Sequence, residues 1–231
     1  HMEILHKTKD LHEILFYIHQ TVLHKWDKYD LRNRLKEGLY QKHGVAANNF
    51  LQTMPVNDAR KAVGMFKDEY LLDYINIEEM EVDKPEDIDE RVIEKAIVRN
   101  IKNFIMTFGR DFAYIGNQYH LEIFGEELFP DLLFLNRELN CMVVVELKKG
   151  TFKPSYIGQL QTYMKVLDDK VRKPHENPTI GILLCKSANK AFVEYVIRDY
   201  NHPMGVATYK TAEDMSEELR NALPDMDEMR K

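Results

Sequence analysis

Residues 130–148 read PDLLFLNRELNCMVVVELK, and this stretch decides the fold class. Two apolar runs rich in β-branched and aromatic residues flank the polar residues 136–138, which predicts two β-strands joined by a turn. Side chains alternate between the faces of a strand, so Glu146 and Lys148 are expected on one face. If the two strands are neighbours, Asp131 meets Glu146 on that face. The stretch therefore predicts two carboxylates and one ammonium group together at a strand end.

Such a group of side chains has two interpretations. Cleavage of a phosphodiester with a metal ion needs carboxylates that hold a hard cation, a positioned water and a group that favours its deprotonated form. The other interpretation is a plain ion pair, because Glu-x-Lys is a common tripeptide. A lysine at the end of a buried apolar strand beside two carboxylates favours the first interpretation, since packing alone seldom buries charged residues.

The surrounding sequence predicts an α/β fold in which helices flank a mixed central sheet. Between Ile88 and Phe108 the apolar residues recur every three or four positions, and Gly109 supplies a helix stop. Further helices are predicted at residues 155–168 and 188–200. Strands are predicted at residues 112–115, 119–124, 128–135, 141–147, 179–185 and 206–209.

The N-terminal part has the pattern of a small helical region. Helices are predicted at residues 9–26, 28–43 and 56–66, and residues 78–90 form an acidic linker that contains a proline. We therefore divide the chain into three parts. These are an N-terminal helical region at residues 3–80, an α/β core domain at residues 88–210 and an acidic C-terminal tail or helix at residues 211–231. The helical region is a candidate element for recognition, homodimer formation or binding of protein partners.

The charge is distributed unevenly along the chain. Taken alone, the net charge of −6 disfavours a polyanionic partner. However, residues 68–94 carry twelve acidic residues against two basic ones, whereas residues 137–190 carry ten basic residues against five acidic ones. Binding of a polyanion depends on the local face and not on the total charge. The charge split therefore permits a nucleic-acid site in the C-terminal half.

The cysteines and the hydropathy of the chain narrow the class of protein further. Cys141 and Cys185 each lie in an apolar run, and without a Cys-x-x-Cys pair they are expected to be reduced core thiols and not zinc ligands. No apolar run approaches the roughly 18 residues that a membrane helix needs. We expect a cytoplasmic protein without a membrane partner.

Several contiguous strings resemble one family. Pro130-Asp131 followed by Glu146-Leu147-Lys148 resembles the PD-(D/E)xK nuclease superfamily, also called restriction-endonuclease-like. More specifically, the chain over about residues 48–209 is similar to the YhcG-like family of bacterial nucleases. The strings that carry this similarity are residues 109–116, 131–134, 145–148, 178–185 and 193–195.

The resemblance implies roles for the matching positions. Asp131 and Glu146 would bind Mg²⁺, or Mn²⁺ in its place, with help from the backbone carbonyl of Leu147. Lys148 would orient or activate the attacking water and stabilise charge on the phosphate. A glutamate of the first core helix often contributes a further metal ligand in this superfamily. Glu94 fits that role best, although Glu90 lies one turn away.

The helix after the catalytic lysine carries a second part of the pattern. Gln159 and Tyr163 match the Gln-x-x-x-Tyr motif of RecB-like members, and their spacing of four places them on one helical face. The other interpretation of this pair is the polar flank of an amphipathic helix. In contrast, the Asn117-Gln118 turn and His120 offer no obvious ligand.

The resemblance implies a DNA partner and an Mg²⁺-dependent deoxyribonuclease activity. Basic residues near the site would contact the DNA, namely Lys149, Lys153, Arg172 and Lys173, with Lys186 and Lys190 as further candidates. Surface lysines are more often simply solvated. The alternative function is a catalytically inactive nuclease fold that binds DNA or protein in a defence or mobile-element complex.

Overall fold

A computed structural model describes residues 2–7, 17–18, 21, 25–36, 38–39, 44–72, 90–109, 111–211 and 214. The chain divides into two compact units, residues 1–45 and 46–231. Among the described helices, none has both the length and the apolar character needed to cross a membrane. The predicted acidic linker up to residue 89 and most of the predicted tail at residues 211–231 lie outside the described residues.

The first unit contains two described helices, α1 (Met2–Lys7) and α2 (Lys28–Lys36). The side chain of Asp27 caps α2 by accepting the backbone N–H of Asp30 at 2.8 Å, as expected for a carboxylate at a helix start. Ile4 and Leu31 are buried together with Tyr17. Most of the helix predicted at residues 9–26 lies outside the described residues, as does the end of the helix predicted at 28–43.

The second unit is an α/β structure. Its helices are α3 (Phe50–Thr53), α4 (Val56–Met65), α5 (Glu90–Arg99), α6 (Ile101–Phe108), α7 (Ser155–Lys170) and α8 (Lys190–Ile197). Its strands are β1 (Ala47–Asn48), β2 (Glu69–Leu72), β3 (Phe112–Asn117), β4 (Leu121–Ile123), β5 (Glu126–Leu128), β6 (Leu132–Asn136), β7 (Cys141–Thr151), β8 (Asn177–Ser187) and β9 (Met204–Thr211).

The central sheet is mixed, as the sequence predicts. Seven strands pair in the order β1-β9-β8-β7-β6-β3, and β2 also pairs with β9. The strands β3, β6 and β7 are antiparallel neighbours, whereas β7, β8 and β9 are parallel. The connections β7-α7-β8 and β8-α8-β9 are the helical crossovers that parallel neighbours require. The strands β4 and β5 form a separate hairpin between β3 and β6.

The N-terminal boundary of the sheet differs from the expectation. The sequence predicts a helical region for residues 3–80, but β1 and β2 within that region pair with β9. Residues 46–72 therefore belong to the same unit as the sheet. The strands escape the sequence pattern because they contain two and four residues, too short to show a period-two alternation.

Helices cover both faces of the sheet. The helices α4, α5 and α6 pack on one face and form an apolar core with Val143, Val145 and Leu147 of β7. The helices α7 and α8 pack on the other face, where Val144 lies. At Gly181 of β8, a Cβ atom would lie 2.9 Å from Cδ2 of Leu160. The missing side chain therefore allows α7 to approach the sheet closely.

Other predicted elements differ mainly at their ends. The helix predicted at residues 88–108 is found as α5 and α6, which meet at Asn100. Gly109 ends α6 with a positive φ of 139°, as its position predicts. The strand predicted at residues 128–135 is interrupted before Leu132, where β6 begins. Cys141 and Cys185 are buried and unpaired, as expected of core thiols.

Candidate active site

The site begins where β6 and β7 diverge. Leu132 pairs with Val145, so Asp131 lies beside Glu146, directly before the start of β6. The backbone N–H of Leu147 donates to Oδ2 of Asp131 at 2.8 Å. This bond is possible because β6 begins only at Leu132 and does not pair with β7 at Leu147. The strand register therefore fixes the Asp131 carboxylate against the following strand.

Glu146 and Lys148 lie on the α7 face of the sheet, on the same side as Val144. Only 2% of Glu146 and 6% of Lys148 is exposed. The Lys148 Nζ atom donates to Oε1 of Glu146 at 3.0 Å and lies 3.4 Å from Oε2 of Glu90. It also lies 5.4 Å from the centre of the Tyr156 ring, an arrangement that favours a cation.

One oxygen of Glu146 remains without a partner among the described residues. Its Oε2 atom is buried and accepts no hydrogen bond there. A buried carboxylate oxygen without a donor is costly, and such an atom needs an explanation in terms of a ligand, a water or a proton. Oε2 of Glu146 therefore marks the position in the site where a hydrogen-bond donor or a cation can be accommodated.

The two carboxylates have pKa values above the usual range. Burial and, as a smaller contribution, the nearby charge of Asp131 raise the pKa of Glu146 to about 7. Burial also raises the pKa of Asp131 to about 6, although the Leu147 N–H opposes this change. Burial disfavours the charged form of Lys148, but Glu146 outweighs this effect and the pKa of Lys148 is raised. The site thus holds an ammonium group beside two carboxylates whose charge is incompletely compensated.

Glu94 joins the site through the end of β3. It is 4% exposed, and its Oε1 accepts the Asn117 Nδ2–H at 2.9 Å. The Nε2 atom of Gln118 donates to Oε2 of Glu94 at 2.8 Å and to Oδ1 of Asp131 at 3.0 Å. Glu94 is therefore buried, whereas Glu90 contacts Lys148 and is about a third exposed. The two glutamates of α5 therefore differ in burial and in the residues that they contact.

The Gln-x-x-x-Tyr pair of α7 lies on the same face of the sheet. Nε2 of Gln159 donates to the Tyr163 hydroxyl at 2.8 Å. Tyr163 is buried, and burial raises its pKa, with smaller contributions from the charges of Glu146 and Asp131. Gln159 and Tyr163 thus form one hydrogen-bonded pair. The negative charges of Glu146 and Asp131 act on its hydroxyl group.

The predicted DNA-contacting residues fall at two ends of the sheet. Lys149 follows the site directly, Lys153 precedes α7, and both are exposed. Arg172 and Lys173 follow the other end of α7, where Arg172 donates to the carbonyl of Glu176 at 3.0 Å. That end adjoins the start of β7, since Cys141 pairs with Asn177. Five residues of strand, roughly 17 Å, separate this end from Glu146.

Lys186 is not grouped with the site carboxylates either, and Lys190 is the first residue of α8. Lys186 forms an ion pair with Asp214, and its Nζ lies 5.3 Å from the centre of the Tyr209 ring. Tyr209 belongs to the core on the α4–α6 face. Lys186 therefore points away from the face that carries Glu146.

Sequence reasoning missed Asn117 and Gln118. The turn offers no carboxylate, histidine or cysteine, so it gives no signal of a ligand. In the structure, however, Gln118 contacts both Glu94 and Asp131. Only the tertiary arrangement of α5 against the end of β3 shows this contact.

The donor set fits a hard divalent cation. No three His, Cys, Asp or Glu side chains among the described residues form a ready-made metal cage. Mg²⁺ does not require one, since it is usually bound through one or two carboxylates and keeps several waters. The carboxylates of Asp131 and Glu146, with Oε2 of Glu146 unpartnered, therefore suit Mg²⁺ better than zinc. Zinc prefers histidine and cysteine ligands.

A mixed sheet that presents an aspartate at one strand end and Glu-x-Lys on the adjacent strand defines the PD-(D/E)xK, restriction-endonuclease-like class. Sequence comparison specifies the family within that class. The family model described as the YhcG PDDEXK nuclease domain matches residues 63–224. The chain belongs to this family.

One curated relative and several solved structures are similar to the chain. The "Putative nuclease YhcG" of Escherichia coli (strain K12) is 26% identical over 175 residues, which cover 76% of this chain and 42% of the relative. The chain thus spans less than half the length of that relative. A repair endonuclease from Pyrococcus abyssi and EndoMS, in apo form and with double-stranded DNA, are 16% identical with TM-scores of 0.35. They cover 54%, 55% and 56% of this chain, and each match spans 48% of the solved chain.

Proposed function

We propose that the chain is a Mg²⁺-dependent nuclease domain that hydrolyses phosphodiester bonds of DNA. The observation that carries the proposal is the buried Oε2 of Glu146, which has no partner among the described residues and lies in a site with Asp131 and Lys148. Membership of the YhcG PDDEXK nuclease family supports the same reaction class.

The cation would be held by Asp131, Glu146 and the carbonyl of Leu147. In a strand, the N–H and the C=O of one residue point in the same direction. Since the Leu147 N–H points to Asp131, the Leu147 carbonyl also faces the side where β6 does not extend beside β7. When bound, Mg²⁺ would neutralise charge on the phosphate and favour hydroxide over water. Mn²⁺ is expected to replace it, because it also prefers oxygen ligands.

Lys148 would act on the water and the phosphate. An ammonium group has three N–H donors, of which two face Glu146 and Glu90. The third donor can orient the attacking water or stabilise the charge that develops on a phosphate oxygen. Glu146 and the Tyr156 ring hold the ammonium in place, which keeps the group charged despite its burial.

Further side chains around the centre would support it. Glu94 would contribute negative charge beside Asp131, to which Gln118 connects it. The Tyr163 hydroxyl, held by Gln159, would contact substrate or water on the α7 face. Lys149 and Lys153 are exposed next to the site and would bind the phosphates of DNA.

The test is cleavage of linear duplex, single-stranded and branched DNA, with single-stranded RNA as the substrate control. Purified protein should cleave at least one DNA substrate in Mg²⁺ and stop when a chelator is added. Asp131→Asn should abolish cleavage and preserve the circular dichroism spectrum. The matched control is Asp27→Asn, the same substitution at the residue that caps α2 in the first unit, and this variant should retain cleavage. Equal cleavage by wild type and Asp131→Asn would show a contaminating nuclease and contradict the proposal.

A further inference from the structure

The carboxamide of Gln118 lies between two acidic side chains of the candidate site. Its single Nε2 atom donates to Oε2 of Glu94 at 2.8 Å and to Oδ1 of Asp131 at 3.0 Å. An amide nitrogen carries two hydrogens, so each hydrogen serves one carboxylate. Bonds to charged acceptors are stronger than those between neutral groups. Gln118 therefore links helix α5 directly to the start of β6.

Among the described hydrogen bonds of Glu94, only the one from Gln118 connects this residue to Asp131. Oε1 of Glu94 accepts from Nδ2 of Asn117, and Oδ1 of Asn117 accepts the Tyr114 hydroxyl at 2.9 Å. These bonds fix Glu94 to β3 but do not reach Asp131. Of the described contacts to the Asp131 side chain, one comes from Gln118 and the other from the Leu147 N–H. Loss of Gln118 would leave Oδ1 of Asp131 without its donor.

The backbone of Gln118 is held in an uncommon conformation that directs its side chain. Its φ is 44°, in the left-handed region that few residues other than glycine and asparagine adopt. The Gln118 N–H donates to the backbone carbonyl of Asp131 at 3.0 Å. Main chain and side chain thus both bind the same residue. Local strain of this kind persists only where surrounding contacts compensate for it.

We propose that Gln118 is a positioning residue for the cation site. It orients Oδ1 of Asp131 and places two N–H dipoles between the carboxylates of Asp131 and Glu94, which would otherwise repel one another. The inference rests on the proposed function, because it assigns Gln118 an effect on cation binding through Asp131. Gln118 itself is exposed to solvent, so the cation and its waters can reach this side of the site.

The test measures Mn²⁺ affinity of Gln118→Met by electron paramagnetic resonance of the free ion. Methionine keeps the length of the side chain and removes both donors. Loss of a group that orients a ligand typically weakens metal binding about 10- to 100-fold, and this is the expected change. The Mg²⁺ concentration for half-maximal cleavage should rise by a similar factor, while KM for DNA stays unchanged. Gln52→Met, the same substitution on the exposed surface of α3, should change neither quantity.

The outcomes separate this inference from the proposed function. If wild type binds no Mn²⁺ and cleaves no DNA, both are overturned. If wild type binds Mn²⁺ and Gln118→Met binds it equally well, Gln118 has only a structural role and this inference alone is overturned.

A measurement on wild type decides the question even if Gln118→Met does not fold. The side-chain amide signals of Gln118 in a ¹⁵N correlation spectrum should shift during Mg²⁺ titration, with the same midpoint as cation binding. Signals that stay unchanged at saturating Mg²⁺ would overturn the inference. The amide signals of Gln52 provide the internal reference.

Discussion

The N–H of Leu147 donates to Oδ2 of Asp131 at 2.8 Å, and this bond connects the two strands at the position where they separate. It uses a backbone donor that β6 would otherwise have paired. The same strand geometry turns the Leu147 carbonyl toward Asp131. The backbone of β7 therefore takes part in the site as much as its side chains do.

Loss of the Lys148 ammonium group should greatly reduce cleavage. In Lys148→Met the third N–H donor near water and phosphate is absent, and removal of one such electrostatic contact typically costs about 10²- to 10³-fold in rate. Single-turnover cleavage in Mg²⁺ measures the effect. Lys61→Met is the matched control, since Lys61 is exposed and pairs with Glu138 at the far end of β7. A rate within threefold of wild type for Lys148→Met would rule out its proposed role.

The cation-free protein should become less stable as the pH rises through the pKa of Glu146. Burial raises this pKa from 4.5 to about 7, so the folded protein retains a proton that the unfolded chain releases. The stabilisation is complete below pH 4.5 and is lost as the pH rises through about 7. Glutamine resembles the protonated form. In a chelator at pH 8, Glu146→Gln should therefore have a larger free energy of unfolding than wild type.

Urea denaturation at pH 5 and pH 8 measures this difference. The gap between Glu146→Gln and wild type should be present at pH 8 and small at pH 5, where Glu146 is already protonated. Glu138→Gln changes an exposed carboxylate and should leave the gap near zero at both values. A Glu146→Gln protein that is less stable than wild type at pH 8 would show that the charged carboxylate is satisfied in the folded state.

The DNA-binding lysines should be found at one end of the sheet only. Each phosphate contact contributes about 0.9 to the slope of log affinity against log salt concentration. Lys149→Ala combined with Lys153→Ala should reduce that slope by roughly 1 to 2, as measured by fluorescence anisotropy in a chelator. Arg172→Ala combined with Lys173→Ala, at the opposite end, should leave the slope unchanged. The reverse result would place the DNA near the start of β7.

Close packing of α7 on β8 should make Gly181 intolerant of a side chain. In Gly181→Ala the new Cβ would lie 2.9 Å from Leu160, so the helix or the strand must move. Overpacking of this kind typically costs about 1–3 kcal/mol of folding free energy. Gly158→Ala is the control, because no heavy atom of the described residues beyond its own turns of helix lies within 4 Å of its Cβ position and alanine favours a helix by about 0.5–1 kcal/mol. Chemical denaturation should therefore shift in opposite directions for the two variants, and a stabilised Gly181→Ala would contradict the packing described.

The sequence predicts the central part of the site because only local geometry is needed there. Period-two alternation places Glu146 and Lys148 on one face, and a short turn makes their strand the neighbour of the one after Asp131. The contacts of Glu90, Glu94 and Gln118 depend on how α5 packs against the sheet. No local pattern specifies that packing, so these contacts become visible only in the fold.

Residues that are close in the sequence are not always close in the fold, as the basic residues on the two sides of α7 show. Arg172 and Lys173 follow Lys148 by about 25 residues, and the charge pattern groups them together. A helix of 16 residues, however, carries the chain roughly 24 Å to the other end of the sheet. A charge count along the sequence therefore adds together residues that the β7-α7-β8 crossover places at opposite ends of the sheet.

The pairing of β1 and β2 with β9 has a consequence for any shortened version of the protein. A fragment cut to residues 88–210 would retain Asp131, Glu146 and Lys148 but would uncover the main-chain donors and acceptors of β9 on its outer side. An uncovered strand of this kind recruits strands from other molecules and promotes aggregation. Residues 47–72 thus protect the solubility of the domain that carries the candidate site.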